Sequence, residues 1–225
     1  MKKTKREKLE ERERKILLAA HDAFVDYGFK GSRITDIAKI AGVAEGTIYL
    51  YFHNKNALLQ AVIEGFYSKL TKNAVLGIKT IPDVMGKLEF LAQHHLKSCL
   101  EEWKLLELST SLYRRMPDYQ SGGYYKLNKI YVEVFDGVIQ DGINQGFINS
   151  KLPIPILRDF FYGSLEYSAR TLVFNNKLNE QQIVIENLLN VLKVGVISND
   201  LNKIDSKKLH QISKQLDSVK HLLKT

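Results

Sequence analysis

The stretch Ile34–Lys55, ITDIAKIAGVAEGTIYLYFHNK, contains two short amphipathic segments joined at a glycine. In the first segment the apolar residues recur at three- and four-residue steps, so they would share one face of a helix. Gly42 follows, and glycine enters the left-handed conformation that commonly ends a helix without steric cost. In the second segment Ile48 and Phe52 lie four residues apart and predict an inward face. The stretch therefore predicts two short helices connected by a tight turn, with Val43 buried in that turn.

The second of these helices has an outward face of small and polar residues. Gly46 is unusual there, because a glycine inside a helix costs roughly 0.5–1 kcal/mol relative to alanine. Its presence indicates that another molecule approaches the backbone closely. A DNA backbone or a base edge would fit this description. The pattern therefore favours a helix-turn-helix that reads DNA.

At these residues the chain resembles the TetR family of bacterial transcription regulators. The family signature is a helix ending in Phe-x-x-x-Gly, a DIA-x-x-AGV helix and turn, a recognition helix ending in Tyr-x-x-Phe, and an Asn-Lys or Ser-Lys step into a long helix. This chain matches the signature at Phe24–Gly28, Asp36–Val43, Gly46–Phe52 and Asn54–Lys55. The resemblance spans about residues 14–62, and many positions agree in order and spacing.

The resemblance implies DNA-binding roles for nine residues: Arg33, Thr35, Ala44, Glu45, Gly46, Thr47, Tyr49, Tyr51 and Lys55. Residues 45–47 are the candidates for base edges, and the others would contact phosphates or flank those contacts. Glu45 departs from the basic or small polar residue often found at its position. A carboxylate either accepts a hydrogen bond from a cytosine amino group or stabilises the helix N-terminus. For Tyr49 and Tyr51 the alternative is half-buried packing.

The whole sequence predicts an all-α fold with roughly nine or ten helices. Residues 1–11 alternate basic and acidic side chains without an apolar face, so we expect a flexible extension. Residues 12–54 would form a three-helix helix-turn-helix domain, with Ser32 capping its second helix. Residues 55–198 would form an effector-binding and dimerisation domain, in which Asn179 caps the last helix. Residues 199–225 would add a C-terminal amphipathic helix.

The middle of the chain is rich in aromatic residues, which either pack a helical core or line a ligand cavity. By resemblance, regulators of this family bind an effector among the helices from about Pro82 to Asn175. The candidate ligand-binding residues are Trp103, Tyr113, Tyr124, Tyr131, Phe135 and Tyr167. The sequence VAEGTIYLYF and the predicted helix end at Asp141–Phe147 look most similar to regulators of fatty-acid metabolism. We therefore expect an effector such as a fatty acyl-CoA or another hydrophobic small molecule, and no cofactor.

Two sets of apolar residues predict further packing surfaces. One set lies in the last two helices of the main body and, by resemblance, would pair with its copy as a four-helix bundle in a homodimer. Its members are Leu157, Phe161, Leu165, Leu172, Ile183, Leu188, Leu192 and Val196. The other set repeats at heptad-like spacing near the C-terminus and predicts a helix docked on protein. Its members are Leu209, Ile212, Leu216, Val219 and Leu223.

Charge and composition narrow the function classes. The chain has 225 residues and a net charge of +8, and residues 1–55 carry 12 Lys and Arg against 8 Asp and Glu. A basic excess beside the helix-turn-helix suits a double-stranded DNA partner. No apolar run of about 18 residues occurs and the first residues are highly charged, so we expect no membrane span and no signal peptide. The single cysteine, Cys99, fits a reduced cytoplasm.

The sequence leaves alternatives to a ligand-released repressor. One is a DNA-binding protein that acts constitutively, without an effector. Another is a helical metal-binding protein that uses His95 and Cys99, which are four residues apart. Zinc needs more ligands in convergence, so we predict packing rather than a metal site for this pair. No nucleophile elbow, phosphate loop or paired carboxylate pattern occurs, and we predict that the chain is not an enzyme.

Overall fold

The computed structural model describes residues 4–113 and 123–197, and these residues form nine α-helices and one 3₁₀ turn, Leu178–Glu180. The α-helices in chain order are α1 Lys5–Gly31, α2 Ile34–Ala41, α3 Glu45–Tyr51, α4 Lys55–Ile78, α5 Val84–Glu101, α6 Trp103–Tyr113, α7 Gly123–Asn144, α8 Ile154–Phe174 and α9 Gln181–Val196. This confirms the all-α prediction. The predicted C-terminal helix lies outside the described residues, and none of the described helices is long and apolar enough to cross a membrane.

The first helix begins at Lys5, so residues 5–11 are helical and do not form the flexible extension that we predicted. Thr4 and Glu7 form a capping box in which each side chain binds the backbone amide of the other residue. Arg6 and Glu10 add an ion pair one turn apart, 2.7 Å long. An apolar stripe is not needed for these local interactions, and for this reason hydrophobic periodicity alone missed the first turns.

The described residues divide into two compact units, one made of residues 4–80 with 93–113 and 123–134, and the other of residues 81–92 with 135–197. In the first unit, α1, α2 and α4 surround a core that includes Ile16, Phe24, Ile37, Ile48 and Leu58, none of which is exposed to solvent. Burial of large apolar side chains is the main stabilising contribution to such a unit. The domain boundaries 12–54 and 55–198 stay predictions.

The second unit has an aromatic core between α7 and α8. The ring centroids of Phe135 and Phe161 lie 4.7 Å apart, and Tyr162 packs against both rings. Gly142 of α7 permits the close approach of Ile148, because a Cβ atom at Gly142 would meet Ile148 Cδ1 at 2.7 Å. Gly146 follows the end of α7 in the left-handed conformation, with φ +71°, which is common directly after a helix.

Two predicted helix caps were wrong. Ser32 is buried and its hydroxyl donates to the carbonyls of Ala23 and Gly28 in α1, so it completes the end of α1 instead of capping α2. Arg33 is the N-cap residue of α2. Asn179 lies within the 3₁₀ turn, and α9 starts two residues later without a side-chain cap. Both residues match the capping preference, but the backbone path places a different residue at each cap position.

The apolar residues predicted for the dimer interface are mostly part of the chain's own core. Six of the eight are at most 6% exposed, namely Leu157, Phe161, Leu165, Leu172, Leu188 and Leu192. Ile183 is exposed, and the side chain of Val196 lies outside the described residues. For α8 and α9 we had therefore predicted the dimer interface on the apolar face that packs within the chain. A second apolar face on the same helices is described below.

Candidate DNA-binding surface and effector domain

The turn between α2 and α3 is a Schellman motif. Gly42 adopts φ +67°, its amide donates to the carbonyl of Lys39, and the amide of Val43 donates to the carbonyl of Ala38 at 3.0 Å. These bonds satisfy the last carbonyls of α2 and fix the direction in which the chain enters α3. Val43 is partly exposed, so its predicted burial is incomplete. The predicted glycine turn is confirmed.

The inner side of α3 packs on the core and its outer side faces solvent. Ile48 is 0% exposed and Phe52 is 7% exposed, as their spacing predicts. Ala44, Glu45 and Gly46 are exposed at the start of the helix. The arrangement orients a short helix by two apolar anchors and leaves its first turn open to a partner, as insertion into a DNA groove requires.

Two aromatic residues of α3 lie on different sides of the helix. Tyr49 is 48% exposed and reaches solvent beside the first turn. Tyr51 is half-buried, and its hydroxyl donates to the carbonyl of Leu9 in α1 at 3.4 Å. Tyr49 is therefore open to a phosphate, whereas Tyr51 already contacts the first helix.

Leu50 is the most exposed large apolar residue of α3, at 84%, and it is not among the residues that we predicted to bind DNA. It lies one turn after Gly46, at the centre of the outer face. An apolar side chain is usually assigned to a core, so composition alone gave no reason to select it. Its position four residues after the glycine was the available signal.

The predicted phosphate contacts around α2 and α4 have different environments. Arg33 and Thr35 are exposed at the N-terminal end of α2. The Lys55 ammonium donates to the carbonyl of Ser32 at 2.8 Å and lies 4.5 Å from the centre of the Phe29 ring. Lys55 thus connects the start of α4 to the end of α1. An ammonium carries three donors, so a phosphate contact by Lys55 stays a prediction.

A buried polar cluster lies between α5 and α7. His95 Nδ1 is 3.1 Å from the Tyr131 hydroxyl oxygen, and its Nε2 is 3.4 Å from Cys99 Sγ. Burial, with a smaller contribution from His94, lowers the pKa of His95 to about 3. The imidazole is therefore neutral and links the two helices by hydrogen bonds. Within residues 4–113 and 123–197, no group of three or more His, Cys, Asp or Glu side chains could hold a metal ion.

The candidate ligand-binding residues do not share one environment. Tyr131 is 1% exposed beside His95, Phe135 is 0% exposed against Phe161, and Tyr167 is 70% exposed. Trp103 is half-buried at the start of α6. Tyr113 and Tyr124 lie in α6 and α7, but their side chains are outside the described part of the chain. An effector role for this set stays a prediction.

Models of two protein families match the chain. The model described as bacterial regulatory proteins, tetR family, matches residues 16–62. The model described as YsiA-like protein, C-terminal region, matches residues 59–195, which is more than half of the chain. The chain belongs to the TetR family. As a TetR-family protein it is a ligand-responsive, DNA-binding transcriptional regulator and not an enzyme.

Individual relatives of this TetR-family chain include a fatty-acid regulator. The chain is 28% identical over 184 residues to the fatty acid metabolism regulator protein of Bacillus subtilis (strain 168), covering 80% of this chain and 93% of that protein. The crystal structure of FadR from Bacillus subtilis in complex with stearoyl-CoA is 25% identical, with a TM-score of 0.69, and covers 78% of this chain and 97% of that chain. FadR from Bacillus halodurans shares the fold, with 24% identity, a TM-score of 0.70, and coverage of 87% and 98%.

Proposed function

We propose that this protein is a homodimeric repressor that binds a near-palindromic operator and is released by a hydrophobic effector of the fatty acyl-CoA class. The observation that carries the DNA part is the outer face of α3, with an exposed Gly46 above the buried anchors Ile48 and Phe52. Half-sites would lie about one helical turn apart, roughly 34 Å, with one recognition helix in each major groove. Bacterial DNA is cytoplasmic, so the protein would act in the cytoplasm.

The exposed side chains of α3 support a division between base and phosphate contacts. Glu45, Gly46 and Thr47 begin the helix and are proposed to reach base edges. Leu50 would add an apolar contact with a thymine methyl group, which only the major groove presents. Tyr49 would donate its phenolic hydrogen to a phosphate and position the helix without reading sequence.

The remaining proposed DNA contacts flank α3. Arg33 and Thr35 are exposed at the start of α2, where a guanidinium and a hydroxyl suit a phosphate. Ala44 is exposed directly before α3 and would permit close approach of the duplex. Tyr51 and Lys55 have partners within the protein, so we propose that they position α3 and α4 in addition to any phosphate contact.

A second apolar face on α8 supports the homodimer. Ile156, Phe160, Tyr167 and Phe174 are between 43% and 70% exposed, and their spacing of four and seven residues places them on one stripe of the helix. On α9, Ile183, Val191 and Val194 are also more than half exposed. Exposed apolar stripes of this length mark interaction surfaces. These residues replace the buried set as the proposed contacts between two copies.

The effector class rests on relatedness. The related Bacillus subtilis protein is named as a regulator of fatty acid metabolism, and the related FadR structure contains stearoyl-CoA. An effector releases DNA only if it binds the non-binding conformation more tightly. A coupling of about 1–3 kcal/mol corresponds to a 5- to 150-fold loss of operator affinity.

The first experiment identifies the operator by sequencing the DNA that the purified protein selects from a random pool. The proposal expects an inverted repeat with half-sites about 10 base pairs apart. Selection of no common sequence would overturn the DNA part of the proposal.

The second experiment tests the effector class on the selected operator. Stearoyl-CoA is titrated into the complex, with free coenzyme A and stearate as controls. The proposal expects release by stearoyl-CoA at concentrations at which neither control releases the DNA. Release by no ligand in an acyl chain-length series would favour the constitutive alternative. Elemental analysis of the purified protein tests the metal-binding alternative.

A further inference from the structure

The first three turns of α1 distribute their charges unevenly around the helix. Each residue advances about 100° around a helix, so Lys5 and Arg12 lie within about 40° of the Ile16 direction. Ile16 is completely buried and therefore marks the side of α1 that faces the core of this unit. Glu7 and Glu10 lie about 180° and 120° away from that direction. The side of α1 that continues the core stripe therefore has an excess of basic residues, and the far side carries most of the carboxylates.

The charged residues at the edges of this surface do not remove the basic excess. Arg6 lies about 80° from the Ile16 direction and is paired with Glu10, so we do not count it as part of the surface. Glu13 is the one acidic residue on the near side, at about 60°. Lys8 lies at the opposite edge, at about 80°, and is exposed. The near side thus retains a row of exposed cations with one carboxylate at its margin.

A contact between α1 and α3 places this basic surface beside the proposed recognition helix α3. The Tyr51 hydroxyl at the end of α3 donates to the carbonyl of Leu9 at 3.4 Å. Leu9 lies between Lys5 and Arg12 on the same stripe and is 44% exposed. Lys5 and Arg12 are both exposed and are seven residues apart, which corresponds to about 10 Å along the helix. The two cations therefore flank the point at which α1 meets the end of α3.

We propose that Lys5, Leu9 and Arg12 form a second DNA-binding surface, on which Lys5 and Arg12 bind phosphates next to the groove occupied by α3. This inference rests on the proposed DNA binding by α3. Phosphate contacts fix the position of a protein on the duplex and make its affinity depend on salt, and they carry no sequence information. In that case α1 would fix the position of α3 on the duplex in addition to packing within the helix-turn-helix domain.

The test compares two adjacent arginines on opposite sides of α1. Arg12→Ala removes a cation from the proposed surface, and Arg14→Ala removes one about 160° from the Ile16 direction. Both residues are exposed, so both variants should fold, which circular dichroism checks. Operator affinity is measured between 50 and 200 mM salt for the full chain and for each variant.

We expect Arg12→Ala to reduce the slope of log affinity against log salt by about 0.9 for each subunit on the operator, so about 1.8 for the proposed dimer, and to weaken binding roughly three- to tenfold per lost contact. Lys5→Ala should do the same, the double variant should lose about twice the slope, and Arg14→Ala should bind as the wild type does. Arg12→Lys should restore the slope, because it restores the charge. Equal behaviour of Arg12→Ala and Arg14→Ala, whether both bind normally or both weaken, would overturn the proposed surface. If the wild-type protein binds no operator at all, the proposed function fails together with it.

Discussion

His21 of α1 and Glu102, the residue between α5 and α6, form an ion pair in which His21 Nε2 lies 2.8 Å from the Glu102 carboxylate. The other ring nitrogen lies 3.0 Å from the Asp22 carboxylate. The hydrogen bond with Glu102 is the main cause that raises the pKa of His21 to about 9, and Asp22 contributes in the same direction against the effect of partial burial. The imidazole is therefore charged at neutral pH. The ion pair joins α1 to the start of α6.

The stabilisation from this ion pair should depend on pH. Because the pKa rises from 6.5 in the unfolded chain to about 9 in the folded chain, the contribution is complete below pH 6.5 and is lost as pH rises through 9. His21→Gln should therefore lower the free energy of unfolding at pH 6 and have little effect at pH 10. Urea unfolding at pH 6, 8 and 10 measures this difference, with the exposed His53→Gln as the matched control. A loss that is equal at pH 6 and pH 10 would contradict the prediction.

His95 should have the opposite pH dependence. Burial lowers its pKa to about 3, whereas the unfolded chain binds a proton near pH 6.5. The unfolded state therefore gains a proton first as pH falls below 6.5, and the folded state loses stability by at most about 1.4 kcal/mol per pH unit from this group. We expect the wild type to lose more stability between pH 7 and pH 5 than His95→Gln does. Parallel losses in both proteins, measured by urea unfolding, would show that His95 is not the group responsible.

Local features of the sequence predicted the helix-turn-helix well. The left-handed Gly42 and the buried positions of Ile48 and Phe52 follow from residue type and spacing within a few residues. Asn54 accepts from the amide of Ala57 at 2.8 Å, so the Asn-Lys step coincides with the actual cap of α4. These elements depend on interactions between neighbours in the chain, which periodicity and capping preferences describe directly.

Features that depend on distant partners were not predictable in the same way. The Ser32 hydroxyl binds carbonyls of α1, and the Lys55 ammonium binds the Ser32 carbonyl, across 23 positions of sequence. Periodicity gives a helix an apolar face but does not say which neighbour covers it. For α8, which has two apolar faces, we predicted the dimer contacts on the face that packs inside the chain and not on the exposed stripe through Tyr167.

Lys55 should contribute to stability as well as to DNA binding. Lys55→Ala removes the donor to the carbonyl of Ser32, a residue that is only 3% exposed. An unsatisfied buried acceptor costs about 1–3 kcal/mol, so we expect a loss of that order in urea unfolding. Lys39→Ala, on the exposed side of α2, removes the same charge without that bond and should leave stability unchanged. A salt titration of operator binding tests the phosphate contact separately, since a lost contact lowers the slope by about one. Normal stability of Lys55→Ala would contradict the structural role.

The exposed stripe of α8 should control association. Tyr167→Asp places a carboxylate in the proposed interface between copies, where burial of an unpaired charge is unfavourable. Light scattering at micromolar concentration should show a dimer for the wild type and a monomer for this variant. Leu76→Asp is the matched control, because Leu76 is a 52% exposed apolar residue on α4, outside the stripe. A wild-type monomer, or a Tyr167→Asp variant that remains dimeric, would exclude this surface as the interface.

Gly46 and Gly42 should respond differently to the same substitution. At Gly46 an added Cβ meets nothing within 4 Å, and the residue lies in the first turn of a helix, so Gly46→Ala should preserve or raise thermal stability by about 0.5–1 kcal/mol. If DNA approaches the backbone there, the methyl group should nevertheless lower operator affinity about tenfold, equivalent to about 1.4 kcal/mol. Gly42 has φ +67°, where an L residue is strained by about 1–2 kcal/mol, so Gly42→Ala should lower thermal stability instead. Unchanged operator affinity of a stable Gly46→Ala protein would show that the duplex does not approach α3 at this residue.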